Sequence, residues 1–570
     1  MARRLRAKDT RQLGLQSEIS SFGGLLGGSH YFVMPYLQRP YEWGEAEVAD
    51  MIGDLLSASD AHYINYFLGH IVGVRNDRGQ IEIVDGQQRF ITTTIFYAYL
   101  RDRIMSHDPA LAQELQGCVM REGRARVTPR PSDAAFLREW IQTPGKIGQL
   151  TATYGKDEEK PYQPQTDAQT LMVMAACAIE TKLDRLALEA LADVAVFVLD
   201  RAVVDFIIAD TRSLAAILYR GMNMRGKQLS PADLIKLEAI EGTGLSEAVR
   251  EEAARIWETV EDDLKRENFA FLLEILPLLV SRETTERPGD LTEWGKHAFK
   301  RVDPETVLIK LLPVYGEVYK ELLTGEVTAE CRDRADLKAL SNVNKYVRGL
   351  LFLEEKHWVA PAISAVHAHR SRPQFLADFF KGLDRLAFAC FLDGVRHEDR
   401  VQRFAAVVRA GADETQLAHA FALKSGEVAG MRKRLGEQFK RDTWRRRAIS
   451  ARANAAFPNG YSFAPAEDIS VEHILPKNLC APWQKAGWPP SLSAACANLL
   501  GNLLLITHPQ NNAAGQKLYT EKWGIYFEWP GAPIHPLTED LRRVTVWDEQ
   551  QVRARTERLI TFLMADWDLD

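Results

Sequence analysis

The chain has no long apolar run. Its densest stretch, Phe269 to Val280, is broken by Glu274 and Pro277. That falls far short of the roughly 20 residues a spanning helix needs, which argues against a membrane protein. Its six cysteines (Cys118, Cys177, Cys331, Cys390, Cys480, Cys496) form no CxxC pair. Such scatter argues against structural zinc and suits a reduced compartment, with the cytoplasm as the expected location. The opening MARRLRAKDTRQ is basic but leads into no apolar segment, so no secretory signal is expected. No internal repeat is evident, and the net charge of −6 does not by itself suggest a nucleic-acid binder.

Local charge differs from the total. Arg432 to Arg452 carries nine basic residues against two acidic ones, Glu437 and Asp442. Its centre, FKRDTWRRR, interleaves Phe439 and Trp444 with Lys440, Arg441, Arg445, Arg446 and Arg447. Phosphate contacts depend on local charge, so this run is a candidate DNA track; a solvated helix face is the other reading.

With 570 residues the chain exceeds what one core supports, and several domains are expected. The expected class is α+β, predominantly helical. Residues 1–150 read as mixed α/β, with strands in YFVMP (31–35), FLGHIVGV (67–74) and QIEIVD (80–85) and a buried helix over Phe90 to Arg103. VAVFVLDRAVVDFIIAD (194–210) has the composition of one or two strands, and about 194–240 is expected to complete the first domain. Residues 143–168 read as a loop or boundary, 169–456 as a mainly helical middle, and 457–570 as a compact C-terminal domain behind the linker FPNGYSFAPAED.

Two constellations carry chemistry. In ISVEHILPKN (469–478), Glu472 and His473 stand where a strand runs into a turn. Some thirty residues later NLLGNLLLITHPQNNAAGQKLYTEKW (498–523) supplies an apolar strand, a polar turn and an amphipathic segment. Strand, loop, strand, helix is the outline of a ββα-metal unit. A neutral imidazole at His473 is suited to take a proton from the attacking water in phosphodiester hydrolysis. Glu472 and Asn511 offer oxygen atoms to Mg²⁺ or Mn²⁺, which needs few protein ligands because it keeps waters and shares phosphate oxygens. Asn502 is expected to bond across the loop and orient His473. The second constellation, IVDGQQRFITTTI (83–95), sits at a strand-to-helix junction. Gly86 permits a tight turn, and the amides after it make an anion site, with Asp85 and Arg89 beside it. On the residues alone, such a segment is more often a plain turn.

Together these motifs resemble the GmrSD-type modification-dependent restriction enzymes. EHILPKN with the GNLLLITHPQN segment resembles their HNH domain, matching at Glu472, His473, Gly501, Asn502, Asn511 and Lys522; Gln516 stands where a second Asn is usual. VMPYLQRPYEW (33–43), FLGHIVG (67–73), DGQQRFITT (85–93) and MNMRGKQLSPADLIK (222–236) follow the order of the DGQQR domain, found also in phosphorothioate-sensing SspE proteins. That resemblance implies a ParB/sulfiredoxin-like fold that binds and hydrolyses GTP or ATP through Asp85, Gly86, Gln87, Gln88 and Arg89, with Gln38 and Arg39 nearby. It implies an antiphage endonuclease acting on double-stranded DNA that carries phosphorothioate or glucosylated hydroxymethylcytosine. Lys522 joins the basic run as a DNA contact. Leu37 replaces an aromatic usual before the Gln-Arg pair, so the modification read here can differ.

Other patterns weigh less. Gly221 to Lys227 has P-loop spacing, but Gln228 replaces the metal-binding hydroxyl; Asn223, Arg225 and Gly226 fit a loop beside the nucleotide domain better. His367 and His369, two apart on a helix, do not share a face. A nucleotide-switched ParB-like DNA-binding protein with a vestigial nuclease unit and an unregulated toxin nuclease are the competing readings.

Overall fold

The computed structural model describes residues 14–569, apart from 36–38, 77, 155–161, most of 212–242, 284–290, 440–442 and 464–466. The chain divides into two compact units, Met1–Asp262 and Asp263–Asp570. Among the described residues no helix is long and apolar enough to cross a membrane.

The first unit is built on a six-stranded mixed sheet. Its strands are β1 (Leu15–Ser21), β2 (Phe32–Val33), β3 (Tyr66–Arg75), β4 (Ile81–Asp85), β5 (Val127–Thr128) and β6 (Ala202–Ala209), in the order β1-β6-β3-β4-β2-β5. β3 pairs β4 antiparallel and β6 parallel. All three strands expected in the first hundred residues form. The expected buried helix also forms, as α1 (Gln87–Ile104). Nearly every side of α1 is covered, which explains why its sequence shows little amphipathic contrast.

The 194–210 segment divides at Arg201. Its first half ends helix α2 (Leu188–Asp200) and its second half is β6. Val194, Ala195, Val198 and Leu199 are buried while Val196 is exposed, so packing at helical spacing overrides the β-branched composition. The 143–168 segment holds a short helix, Ile147–Ala152, rather than loop alone.

The second unit is mainly helical. It includes α3 (Arg334–Leu350), α4 (Pro373–Asp393), α5 (Thr443–Ala456) and the closing α6 (Glu549–Asp566). Inserted between α5 and α6 is a two-stranded antiparallel sheet, β7 (Ser470–His473) with β8 (Leu503–Ile506), in which Glu472 faces Leu504 and His473 faces Leu503. The helices of this part include α7 (His508–Ala514) and α8 (Tyr519–Phe527). All of β8 is buried, so its LLLI run does not alternate.

The hub is α5. Alanines and Ser450 along it let neighbours approach closely, and Ala448 through Ala455 are all buried. It packs against α3, α6, β7 and β8. Arg452 on α5 donates to Asp384 of α4 at 2.8 Å and to Asp566 of α6 at 2.6 Å, and Trp567 Nε1 also donates to Asp384 at 2.7 Å. A buried arginine shared by two carboxylates therefore ties three helices together.

Candidate functional site

At the C-terminal constellation, strand alternation separates neighbouring side chains. Glu472 is 3% exposed, and its Oε1 accepts from Lys522 Nζ at 2.6 Å and from the Tyr526 hydroxyl at 2.9 Å, both on α8. Lys522 is fully buried and also donates to the carbonyls of His473 (3.0 Å) and Ile474 (3.1 Å). All three ammonium donors therefore have acceptors. Burial pushes the Glu472 carboxyl above its ordinary value, and the Lys522 ammonium opposes the shift.

His473 looks elsewhere. It is 8% exposed, and its Nε2 lies 3.3 Å from Asn498 Oδ1. Burial, followed by the charges of Lys477 and Arg446, pushes its pKa down to about 3. The imidazole is thus neutral around physiological pH.

Asn502 is fully buried and makes four hydrogen bonds. Its Oδ1 accepts from Leu475 N (2.8 Å) and Trp547 Nε1 (3.1 Å), and its Nδ2 donates to Leu475 O (2.9 Å) and Ala497 O (2.8 Å). It therefore pins the backbone just past His473 and does not touch the imidazole. Asn511 on α7 donates through Nδ2 to Ser470 Oγ (2.6 Å) and Val471 O (3.3 Å).

Whether these groups suit a hard cation depends on which oxygens remain. Lys522 and Tyr526 hold Glu472 through Oε1, the kind of outer bonding that orients a ligating carboxylate. Asn511 spends its nitrogen on β7, so Oδ1 is its donor of ligand type. Carboxylate and amide oxygens are the donors magnesium takes. The donor set fits, although no hydrogen bond joins Glu472 to Asn511. Among the described residues no three His, Cys, Asp or Glu side chains gather as a metal cluster.

The N-terminal constellation is also brought together. Gly86 adopts φ +104° between β4 and α1, and a Cβ there would lie 2.9 Å from Ile71 Cγ1. Both the backbone angle and the close approach require glycine. Arg89 donates to Leu68 O at 2.7 Å and lies 3.5 Å from Asp85. Gln88 accepts from Glu42 N and donates to Pro40 O, fastening the preceding segment, and Arg39 pairs with Glu42 at 3.5 Å. Burial raises the Asp85 carboxyl, against the opposing influence of Arg89, the Gly86 amide, Arg39 and His70. Gln87 is buried, and its Oε1 has no hydrogen-bond partner among the described residues. That amide oxygen is an acceptor and calls for a donor; what fits a bound anion is the N-terminus of the 18-residue α1 with Arg89 and Arg39 near Asp85. Gln38 lies outside the described residues, as do Asn223, Arg225 and Gly226.

Residues 22–240 match the N-terminal domain of GmrSD restriction endonucleases, and residues 429–562 match the C-terminal domain of the same enzymes. The two matches lie in order and cover well over half the chain. The chain belongs to the GmrSD restriction endonuclease family. No individually curated protein is a significant match. As a GmrSD-family protein it is a nuclease of DNA restriction, and its C-terminal match spans Glu472, His473, Asn502 and Asn511.

Within this GmrSD frame the structure corrects several expected DNA contacts. Lys522 is buried under Glu472 and cannot meet a phosphate from solvent. Arg446 is also buried, donating to Phe439 O at 2.6 Å and Thr443 Oγ1 at 3.0 Å. Of the described cations in the run, Arg446 and Arg452 are buried because α5 is covered by its neighbours, whereas Arg432, Lys433 and Arg434 are exposed. Arg445 and Arg447 are half-buried, over the rings of Phe391 and Phe352. Lys440 and Arg441 lie outside the described residues. His367 and His369 point to different neighbours, Tyr315 and Phe375.

Asn498, Lys477 and Tyr526 escaped the reading of the GmrSD motifs as site residues. The first two lie inside quoted motifs, NLLGN and EHILPKN. Tyr526 is four residues after Lys522, the helical spacing that brings both to one carboxylate.

Proposed function

We propose that this protein is a modification-dependent DNA endonuclease whose HNH-type site hydrolyses phosphodiesters with His473 as general base, under control of a nucleotide-binding N-terminal unit. The observation that carries the reading is the neutral, buried imidazole of His473 at the end of β7, held by Asn498 beside two cationic side chains. An imidazole held this low is wholly unprotonated and free to accept a proton. A phosphate anion arriving beside it raises its basicity towards the useful range. Lys477 and Arg446 supply positive charge where the phosphate charge grows. Asn502 keeps the turn after β7 in place, and Lys522 with Tyr526 fixes the Glu472 rotamer.

Glu472 and Asn511 would hold Mg²⁺ or Mn²⁺, which when bound neutralises charge on the phosphate and leaving oxygen. In the first unit Gly86, Gln87 and Arg89 would receive the phosphates of GTP or ATP at the start of α1, with Asp85 and Arg39 close by. Gln88 acts by fastening the segment at Pro40 and Glu42.

The test uses plasmids that are unmodified, phosphorothioated or glucosylated at hydroxymethylcytosine, with magnesium or manganese, and with or without GTP or ATP. Selective cutting that His473→Ala abolishes is the expected result. Cutting of every plasmid marks an unregulated toxin, and binding without cutting marks a nucleotide-switched DNA-binding protein.

A further inference from the structure

The basic run on α5 contributes two side chains to a cavity that the nuclease chemistry does not use. Trp444 and Arg447 line it from α5; Arg348, Leu351, Phe352 and Phe463 complete it. Its volume is about 150 Å³, and among the described residues its lining contains two guanidinium groups, three aromatic rings and no carboxylate. Phe352 and Trp444 are half-buried, so each ring keeps open surface.

Arg447 stands 5.5 Å from the centre of the Phe352 ring. Its Nε is buried without a hydrogen-bond partner among the described residues. Arg348 is anchored at Gly325 O (3.0 Å), and its one ion pair among the described residues, to Glu326 at 3.7 Å, involves a glutamate 73% exposed. Such an exposed pair neutralises little. Two under-neutralised cations at an aromatic cavity select a ligand with a flat π-face and an adjoining negative charge. A volume well below the range for drug-sized ligands admits a single ring system and leaves the charge at the arginine edge.

We propose that this cavity binds one unpaired nucleotide, the base against Trp444 and Phe352 and the phosphate at Arg447 and Arg348. This rests on the DNA-nuclease reading for its biological sense but not for its chemistry. Stacking of bases on aromatic side chains with arginine at the backbone is the general means of holding single-stranded nucleic acid. Position adds meaning. Neighbouring helix residues are about 100° apart, so α5 turns Arg446, whose charge His473 feels, one way and Trp444 with Arg447 another. One helix thus borders both the catalytic imidazole and the nucleotide cavity. An extruded base of the substrate and a free nucleotide share this chemistry.

Binding is measured by tryptophan fluorescence and anisotropy on the full chain carrying His473→Ala, which prevents cutting. The probes are inorganic phosphate, deoxyadenosine monophosphate, a fully paired duplex, and the same duplex with one unpaired adenine. The expected result is quenching by the monophosphate, by the unpaired duplex, or by both, but not by inorganic phosphate. Trp444→Phe removes the quenching, and Arg447→Ala weakens binding about tenfold or more. Response to the monophosphate identifies a free nucleotide; response to the unpaired duplex alone identifies a substrate base. Arg348→Gln, at a more peripheral position, is the second variant should Arg447→Ala lower the melting temperature. Equal affinity in the parent, Trp444→Phe and whichever arginine variant melts normally overturns the proposal, as does equal response to both duplexes without response to the monophosphate. In otherwise wild-type protein, cleavage lost only through His473→Ala leaves the nuclease reading standing if the cavity fails. Trp444-dependent binding by a protein that cuts no plasmid does the reverse.

Discussion

Lys522 is an ammonium with no solvent around it, and its three acceptors explain how it is tolerated. Removing one member of a buried ion pair strands the other. Lys522→Met is therefore expected to cost about 3–5 kcal/mol, while the double variant Glu472→Gln/Lys522→Met recovers much of it. Urea midpoints of wild type, Lys522→Met, Glu472→Gln and the double variant check this; a double variant no better than Lys522→Met contradicts the pairing.

His473 gives a pH signature. Its folded pKa is depressed to about 3, whereas the unfolded imidazole titrates near about 6.5. Between those values the unfolded chain binds more protons. Stability is therefore complete above about pH 6.5 and is lost as pH falls towards 3. Metal-free unfolding of wild type and His473→Asn from about pH 4 to pH 7 should show a shallower slope in the variant.

At the scale of elements, what matters is how closely α6 meets the turn before β8. A Cβ at Gly501 would lie 2.1 Å from Val552 O and 2.7 Å from Thr556 N, both backbone atoms of α6. Gly501 N also donates to Thr556 Oγ1 at 3.0 Å. Gly501→Ala must push the helix away, and overpacking of this kind typically costs about 1–3 kcal/mol. Because Asn502 follows directly, the variant should lose cleavage more than thermal stability suggests. Cleavage assays beside calorimetry test that; unchanged activity shows that the turn does not govern His473.

Strands and helices with strong patterns were legible at this scale. QIEIVD and FLGHIVGV both form the expected strands, which pair with each other, and ISVEH with LLLI forms the small antiparallel sheet. The 194–210 run yields one of the one or two strands expected, because β-branched residues in its first half serve equally in a helix packed on its apolar side. The basic run misled at Arg446 and Arg452 for a related reason. Arginines have long apolar stems and several donors, so a chain can bury them when carbonyls and carboxylates are supplied from elsewhere, as at Arg446 and Arg452.

For the whole molecule, the two motif sets occupy different compact units, with DGQQR in the first and EHILP in the second. If nucleotide at the first governs the second, Arg89→Ala should change the nucleotide dependence of cutting without altering manganese binding at Glu472. Equal cleavage in both proteins, with and without nucleotide, removes the coupling. Chelation supplies the complementary test: EDTA should abolish cutting and excess magnesium restore it, while fluorescence from the α5 cavity is unaffected.

The sequence by itself carried the motifs through which the chain resembles its family, and it determined the strand-loop-strand-helix order around Glu472 and His473. A glycine after an aspartate likewise announced the strand-to-helix turn of the first unit. Only tertiary structure decided which asparagine touches the imidazole, that Asn502 bonds the backbone, and that Lys522 serves Glu472 rather than DNA. The physical reason is that spacing constrains neighbours along one element, whereas burial and hydrogen-bond satisfaction are settled by elements distant in the chain.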